Sequence, residues 1–123
     1  ALAVYEGRVL AARHNEREQT GDPTAHAEML VLRDVAARLG RWRLDDVTVV
    51  VTLEPCPMCA GALLGARVQA CVFGAFDMKA GALTSLYGMG SDPRLHHEFD
   101  VVGGVRAEEC GRILSDFFAG RRD

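Results

Sequence analysis

The unbroken β-branched run Val47–Leu53 (VTVVVTL) is the feature that most constrains how this chain of 123 residues folds. Such a run is typical of a strand that is buried on both faces of a parallel sheet. Pro57 predicts the start of a helix that extends to about Ala66, and Val68–Phe73 predicts a second buried strand. Because one helix separates the two strands, we expect a right-handed parallel crossover between them.

The amino-terminal segment predicts a hairpin. Ala1–Tyr5 and Val9–Ala12 are short apolar runs around Glu6-Gly7. This pattern indicates two strands joined by a tight turn, in which glycine adopts the required backbone angles. The polar residues that follow, Arg13–Gly21, predict a loop.

The remaining segments complete an alternation of helices and strands. Asp22-Pro23-Thr24 predicts the start of a helix, capped by Asp22 or Thr24, and Gly40 predicts its end. Gly81–Gly90 is ambiguous between a short helix and a loop, and Val101–Val102 predicts a short strand. Ala107–Ala119 predicts an amphipathic helix with its apolar residues on one side. Helices that alternate with buried strands favour an α/β fold in three layers, α/β/α.

Composition narrows the class of protein. The length suggests one domain, residues 1–123, that buries roughly two-thirds of the surface of the unfolded chain. The net charge is −3 and no long basic run is present, so any contact with nucleic acid must be local. No apolar stretch reaches the about 18–20 residues of a membrane span and no leader opens the chain, so we expect a cytoplasmic protein.

Four cysteines are too few for a disulfide scaffold at this length. Two of them lie in Pro55-Cys56-Pro57-Met58-Cys59, where the predicted strand passes into a helix. The first turn of a helix has unpaired backbone N–H groups and the positive end of the helix dipole, which favour the metal-binding thiolate. Alone, the motif fits half of a zinc site, a redox-active pair or a chance spacing. Cys71 and Cys110 are interpreted as small buried hydrophobic residues.

His26-Ala27-Glu28, near the start of the first predicted helix, favours the metal interpretation. A histidine alone is more often a hydrogen-bonded, partly buried residue. With Cys56 and Cys59, however, His26 makes three protein ligands, which leaves the fourth position of a catalytic zinc for water. Glu28 is then a candidate proton shuttle for that water. Because residues i and i+2 of a helix point to nearly opposite sides, His26 and Glu28 must lie at the helix start to reach one metal.

His-x-Glu followed by Pro-Cys-x-x-Cys is typical of the zinc deaminases. Over essentially its whole length, the chain resembles the bacterial tRNA-specific adenosine deaminases. Its matching blocks are Asp22–Glu28 (DPTAHAE), Thr52–Ala62 (TLEPCPMCAGA), Phe73–Ala82 (FGAFDMKAGA) and Ser115–Phe118 (SDFF) with Arg121-Arg122. Guanine and other small-molecule deaminases share the first two blocks, so the last two distinguish the tRNA enzymes.

The resemblance implies a fold, a reaction and a cofactor. The fold is a three-layer α/β/α sandwich of the cytidine deaminase-like type, with a mixed, mostly parallel five-stranded sheet. The reaction is the hydrolytic deamination of adenosine to inosine at the wobble position of a tRNA anticodon loop. One Zn²⁺ per subunit is expected on His26, Cys56 and Cys59, and Glu28 is expected to move the protons.

The resemblance also implies contacts with RNA. Asn15 matches the family asparagine that hydrogen-bonds the target nucleoside, Asp77 would accept from a ribose 2′-OH, and Lys79 would meet a phosphate. An ordinary loop role is the alternative for all three residues. Phe117 and Phe118 cannot both point into one core, so one is expected to pack inside and the other to stack on a splayed base, with Phe118 as the candidate.

The resemblance also has consequences for assembly. Family members begin with a helix ahead of the hairpin, whereas this chain begins inside the first strand, so we expect one sheet face to be partly uncovered. The resemblance implies a homodimer in which the neighbouring subunit helps to shape the RNA site.

Two alternative functions remain open. One is deamination of a free nucleobase or nucleoside, of the guanine or cytosine type, and the other is a non-catalytic zinc-binding module.

Overall fold

The computed structural model describes residues 1–120, which form five strands and four helices. Their bounds are β1 Leu2–Tyr5, β2 Arg8–Ala12, α1 Arg17–Thr20, α2 Ala27–Leu39, β3 Val47–Leu53, α3 Pro57–Gly65, β4 Ala70–Ala75, β5 Asp100–Val102 and α4 Ala107–Gly120. Glu6 and Gly7, between β1 and β2, have φ values of 50° and 73°. A two-residue hairpin turn requires such positive angles, so the predicted hairpin is confirmed.

The five strands form one sheet in the order β2-β1-β3-β4-β5. β1 pairs antiparallel with β2 and with β3, whereas β3 pairs parallel with β4 and β4 pairs parallel with β5. β1 alone therefore runs against the other four strands, which confirms the mixed, mostly parallel sheet. The parallel pairing of β3 with β4 across α3 confirms that the connection is a parallel crossover, and its right-handedness stays a prediction.

Helices pack on both faces of this sheet. On one face, α2 contacts β1, β2 and α3, and the side chains beneath them form the buried core, which includes Phe73 of β4. The next residue, Gly74, faces the other side, where a Cβ atom would lie 2.3 Å from the Sγ atom of Cys110 in α4. Gly74 thus permits the close approach of α4, and the three-layer architecture is confirmed.

The prediction that β3 is buried on both faces is wrong for one of them. Val47, Val49 and Val51 are buried, whereas Val50 is half-buried and Thr52 is exposed. The three buried valines belong to the hydrophobic core, whereas the opposite face of the sheet packs against α4, a helix with no fully buried residue.

Two helix predictions also need correction. The segment predicted as a loop contains the short helix α1, and α2 begins at Ala27 rather than at Asp22-Pro23-Thr24. The Oδ1 atom of Asp22 instead accepts hydrogen bonds from the backbone N–H of Thr24 at 2.8 Å and from its hydroxyl at 2.7 Å. Asp22 therefore closes a local turn ahead of the helix. Gly40, with a φ of 70°, ends α2 as predicted.

The apolar side of α4 is more exposed than predicted. No residue of this helix is fully buried, and the exposed fractions are 62% for Ile113, 51% for Phe117 and 55% for Phe118. The expectation that one of the two phenylalanines packs inside is therefore wrong. None of the helices formed by residues 1–120 combines the length and the apolar character needed to cross a membrane.

Candidate active site

The start of α2 positions His26 and Glu28. His26 is the N-cap residue, with the extended backbone angles φ −70° and ψ 151°, and Glu28 lies in the first helical turn with only 8% of its surface exposed. Because His26 stands just before the helix, the rule that residues i and i+2 of a helix diverge does not apply to this pair.

The start of α3 positions the two cysteines in an equivalent way. Cys56 is the N-cap residue, with an extended ψ of 173°, and Pro57 occupies the first helical position. Cys59 lies within the first turn and is fully buried, whereas Cys56 is partly exposed. The cysteines therefore lie at the carboxyl end of β3, the edge of a parallel sheet at which α/β proteins commonly bind ligands.

His26, Cys56 and Cys59 converge on one point. The Nδ1 atom of His26 lies 3.7 Å from Sγ of Cys56 and 3.5 Å from Sγ of Cys59, and all three atoms lie within 4.8 Å of one another. A tetrahedral zinc, with bonds of about 2.3 Å to sulfur and about 2.0 Å to nitrogen, separates such atoms by about 3.5 Å. The donor set and its spacing therefore fit a zinc ion.

The carboxylate of Glu28 lies close enough to the buried cysteines to influence their titration. Burial, and then the negative charge of nearby Glu28, raise the pKa of the Cys59 thiol far above its usual value. The same two causes raise the pKa of Cys71 to about 12. Cys71 does not belong to the group of metal-ligating atoms found within residues 1–120, which agrees with its interpretation as a buried hydrophobic residue.

The residues proposed for RNA contact have local roles or are exposed. The Oδ1 atom of Asn15 accepts the backbone N–H of Arg17 at 2.9 Å. Asp77 Oδ1 accepts the backbone N–H of Lys79 at 3.0 Å, and the Lys79 side chain is exposed. The exposed ring of Phe118 meets that of Phe117 edge to face, with centroids 5.4 Å apart. Arg121 and Arg122 lie outside the described residues.

Sequence patterns assign no role to Glu54, yet within residues 1–120 it is one of the two buried charged residues. Its side chain is 2% exposed and accepts hydrogen bonds from Asp77, Thr84 and Ser85. Burial alone would raise the pKa of this carboxyl, but the hydrogen bonds outweigh burial and hold the pKa below its ordinary value. The available sequence signal was an acidic residue directly after a buried strand.

Known proteins are similar to this chain in sequence. The family model described as MafB19-like deaminase matches residues 1–122. The "tRNA-specific adenosine deaminase" of Bacillus subtilis is 49% identical over 118 residues, which cover 96% of this chain and 73% of that protein.

Solved structures agree with the sequence matches. A structure from studies of A-to-I editing by tRNA:A34 deaminases is 41% identical, covers 91% of this chain and 81% of its own, and has a TM-score of 0.87. A guanine deaminase from Bacillus subtilis is 28% identical, covers 99% of this chain and 78% of its own, and has a TM-score of 0.59. With its His–Cys–Cys cluster, its mixed sheet and these matches, the chain belongs to the family of the tRNA-specific adenosine deaminases.

Proposed function

We propose that this protein is a zinc-dependent hydrolase that deaminates adenosine to inosine at the wobble position of a tRNA anticodon loop. The observation that carries the proposal is the convergence of His26, Cys56 and Cys59 beside a buried glutamate, in a chain 49% identical to a tRNA-specific adenosine deaminase. In this proposal, residues 1–123 act as one deaminase domain.

His26, Cys56 and Cys59 would hold the zinc ion. Bound there, zinc supplies a nucleophile at neutral pH, because it lowers the pKa of water from about 16 toward about 7. Cys59 is buried, whereas His26 and Cys56 are half-buried.

Glu28 is the proposed general acid and base. Its carboxylate accepts a proton from the attacking water and delivers it to the ring nitrogen N1 as the new C–O bond forms at C6 of adenine. It then takes the second water proton from the new hydroxyl group at C6 and passes it to the amino group, which leaves as ammonia while the C–N bond breaks and the C6 carbonyl forms. Water and adenosine thus give inosine and ammonia, and the glutamate returns to its starting state.

We propose that the substrate is held by a few local contacts, since the net charge of −3 provides no broad basic field. Lys79 is exposed and free to meet a phosphate, and Phe118 presents more than half of its surface for stacking on a base. Asn15 and Asp77 would contact the nucleoside and the ribose through atoms beyond those that their local hydrogen bonds use.

The test is an inosine assay. Purified zinc-loaded protein is incubated with an anticodon stem-loop RNA that carries adenosine at the wobble position, and separately with free adenosine, guanine and cytosine. We expect inosine in the stem-loop and no ammonia from the free compounds. A stem-loop with adenosine only at other positions is the matched control, and inosine there at an equal rate contradicts wobble specificity.

Deamination of a free base is the second candidate function. It is favoured by the 28% identity over 99% of this chain to a guanine deaminase. Ammonia from guanine or cytosine, with an unmodified stem-loop, establishes this candidate instead.

Homodimer formation in the cytoplasm is part of the same proposal and rests on the family resemblance. Light scattering at micromolar concentration tests the assembly, and a monomeric mass contradicts it.

A further inference from the structure

Glu54 binds a segment of chain that is distant in sequence. Its Oε1 atom accepts the backbone N–H of Asp77 at 3.0 Å and the hydroxyl of Ser85. Its Oε2 atom accepts the backbone N–H groups of Leu83 at 3.2 Å, Thr84 at 2.8 Å and Ser85 at 2.9 Å. One buried carboxylate therefore satisfies donors at both ends of residues 77–85, which we call the 77–85 loop.

The loop fits closely around this carboxylate. A Cβ atom on Gly81 would lie 2.3 Å from Cδ of Glu54, so the loop backbone passes directly over the side chain. Two backbone bonds hold the same path: Gly81 donates to the carbonyl of Asp77 at 2.8 Å, and Ala82 donates to the carbonyl of Pro55 at 2.9 Å. Residues 76–99, all of them described, contain only turns and irregular structure, so these contacts take the place of a strand or helix.

Glu54 is close in sequence to the metal-binding cysteines. Glu54 directly follows β3 and stands two residues before Cys56, the N-cap of α3. The carboxylate thus joins the strand–helix junction that carries both cysteines to the loop that carries Asp77 and Lys79. Within residues 1–120, none of the ion pairs involves Glu54, so its partners are the N–H groups and the hydroxyl already named.

We propose that Glu54 is a positioning residue that fixes the 77–85 loop relative to the metal-binding junction and so sets the affinity for the RNA substrate. This inference rests on the proposed function. Glu54 touches neither substrate nor metal in it. Its effect passes through the loop, because its carboxylate accepts four backbone N–H groups and one hydroxyl group of the loop.

The experiment compares Glu54→Gln with the wild-type enzyme. An amide has one acceptor oxygen and turns N–H donors toward the backbone N–H groups, so the loop loses its anchor while the side-chain volume is kept. We expect an unchanged zinc content of one ion per chain, a KM for the stem-loop raised about tenfold or more, and a smaller change in kcat. An unchanged KM overturns the proposal, as does a fall in kcat and zinc content with KM unaltered.

Two further variants keep the test decisive if Glu54→Gln does not fold. Ser85→Ala removes one hydrogen bond and retains the carboxylate, so a smaller rise in KM is expected. Gly81→Ala places a methyl group 2.3 Å from Cδ of Glu54, which pushes the loop away from the carboxylate and leaves the charge intact, so its KM should rise as in Glu54→Gln. If both variants leave KM at the wild-type value, the proposal is wrong.

Hydrogen exchange separates this inference from the proposed function. In Ser85→Ala and Glu54→Gln, the amides of Asp77, Leu83, Thr84 and residue 85 should exchange faster, while those of β1 and β3 remain protected. If exchange is faster in the variants but the wild-type protein deaminates only free bases, Glu54 does hold the 77–85 loop and RNA is not the substrate. Unchanged exchange rejects the anchor, whatever the substrate is.

Discussion

The Nδ1 atom of His26 lies 3.5 Å from the Sγ atom of Cys59, although 33 positions separate the two residues in the chain. Each lies at the amino-terminal end of a helix, α2 or α3, and these two helices pack against each other on one face of the sheet. The metal-binding geometry is thus a consequence of how the two helix starts meet.

Zinc binding depends on the converging side chains and not on cysteine content. Cys59→Ser is expected to lose bound zinc and activity, because a hydroxyl is a much weaker zinc ligand than a thiolate. Cys110→Ser is the matched control, since Cys110 lies in α4 outside the cluster. Metal analysis and the inosine assay check this, and a strong chelator should abolish wild-type activity until Zn²⁺ is restored. A Cys59→Ser protein with full zinc occupancy contradicts the assignment.

Glu28 is expected to be needed for turnover but not for metal binding. Glu28→Gln keeps the shape of the side chain and removes its ability to accept a proton, so kcat should fall by about 10²–10⁴-fold with zinc retained. Glu98→Gln, which changes an exposed carboxylate elsewhere, provides the control. A Glu28→Gln enzyme that keeps the wild-type kcat argues for a structural role only.

Gly74 permits the contact between β4 and α4. A methyl group at this position would lie 2.3 Å from the Sγ atom of Cys110 and 2.8 Å from the carbonyl oxygen of Thr52. Gly74→Ala is therefore expected to lower the free energy of unfolding by about 1–3 kcal/mol. Gly111→Ala has no atom within 4 Å of its new methyl group and should raise stability by up to about 1 kcal/mol. Urea denaturation measures both, and equal effects refute the packing argument.

Lys79 is expected to contribute charge to RNA binding. Lys79→Ala should weaken binding of the stem-loop and reduce the slope of log K against log salt concentration by about 0.7–1. Arg94→Ala removes a comparably exposed cation that is paired with Asp92, and its slope should match that of the wild type. Filter binding over a series of salt concentrations measures these slopes. Identical slopes for all three proteins would exclude a phosphate contact by Lys79.

Local sequence patterns predicted the elements that surround the site. The run of β-branched residues gave β3 its observed bounds, and the prolines and glycines fixed the turn at Glu6-Gly7, the start of α3 and the end of α2. The start of α2 was misplaced because Asp22 can cap either a helix or its own turn, and sequence does not decide between the two. The exposure of α4 could not be predicted from the sequence, because it depends on how much of the sheet the helix covers.

The site was predictable to the extent that its chemistry is local. The motifs around His26 and Cys56 identify metal-ligating residue types, and the structure brings them together. Glu54 could not be recognised in this way, since its donors lie 23 to 31 positions downstream in a segment without periodicity. The roles of Glu28, Asn15, Asp77, Lys79 and Phe118 remain predictions.

X-ray absorption at the zinc edge of the purified, fully loaded protein tests the central claim most directly. Two sulfur ligands at about 2.3 Å, with one nitrogen and one light atom from solvent at about 2.0 Å, are the result expected for a catalytic site held by three side chains. A shell filled by four protein ligands, with three or four sulfur atoms, would contradict the account, because no position would then remain for water beside Glu28.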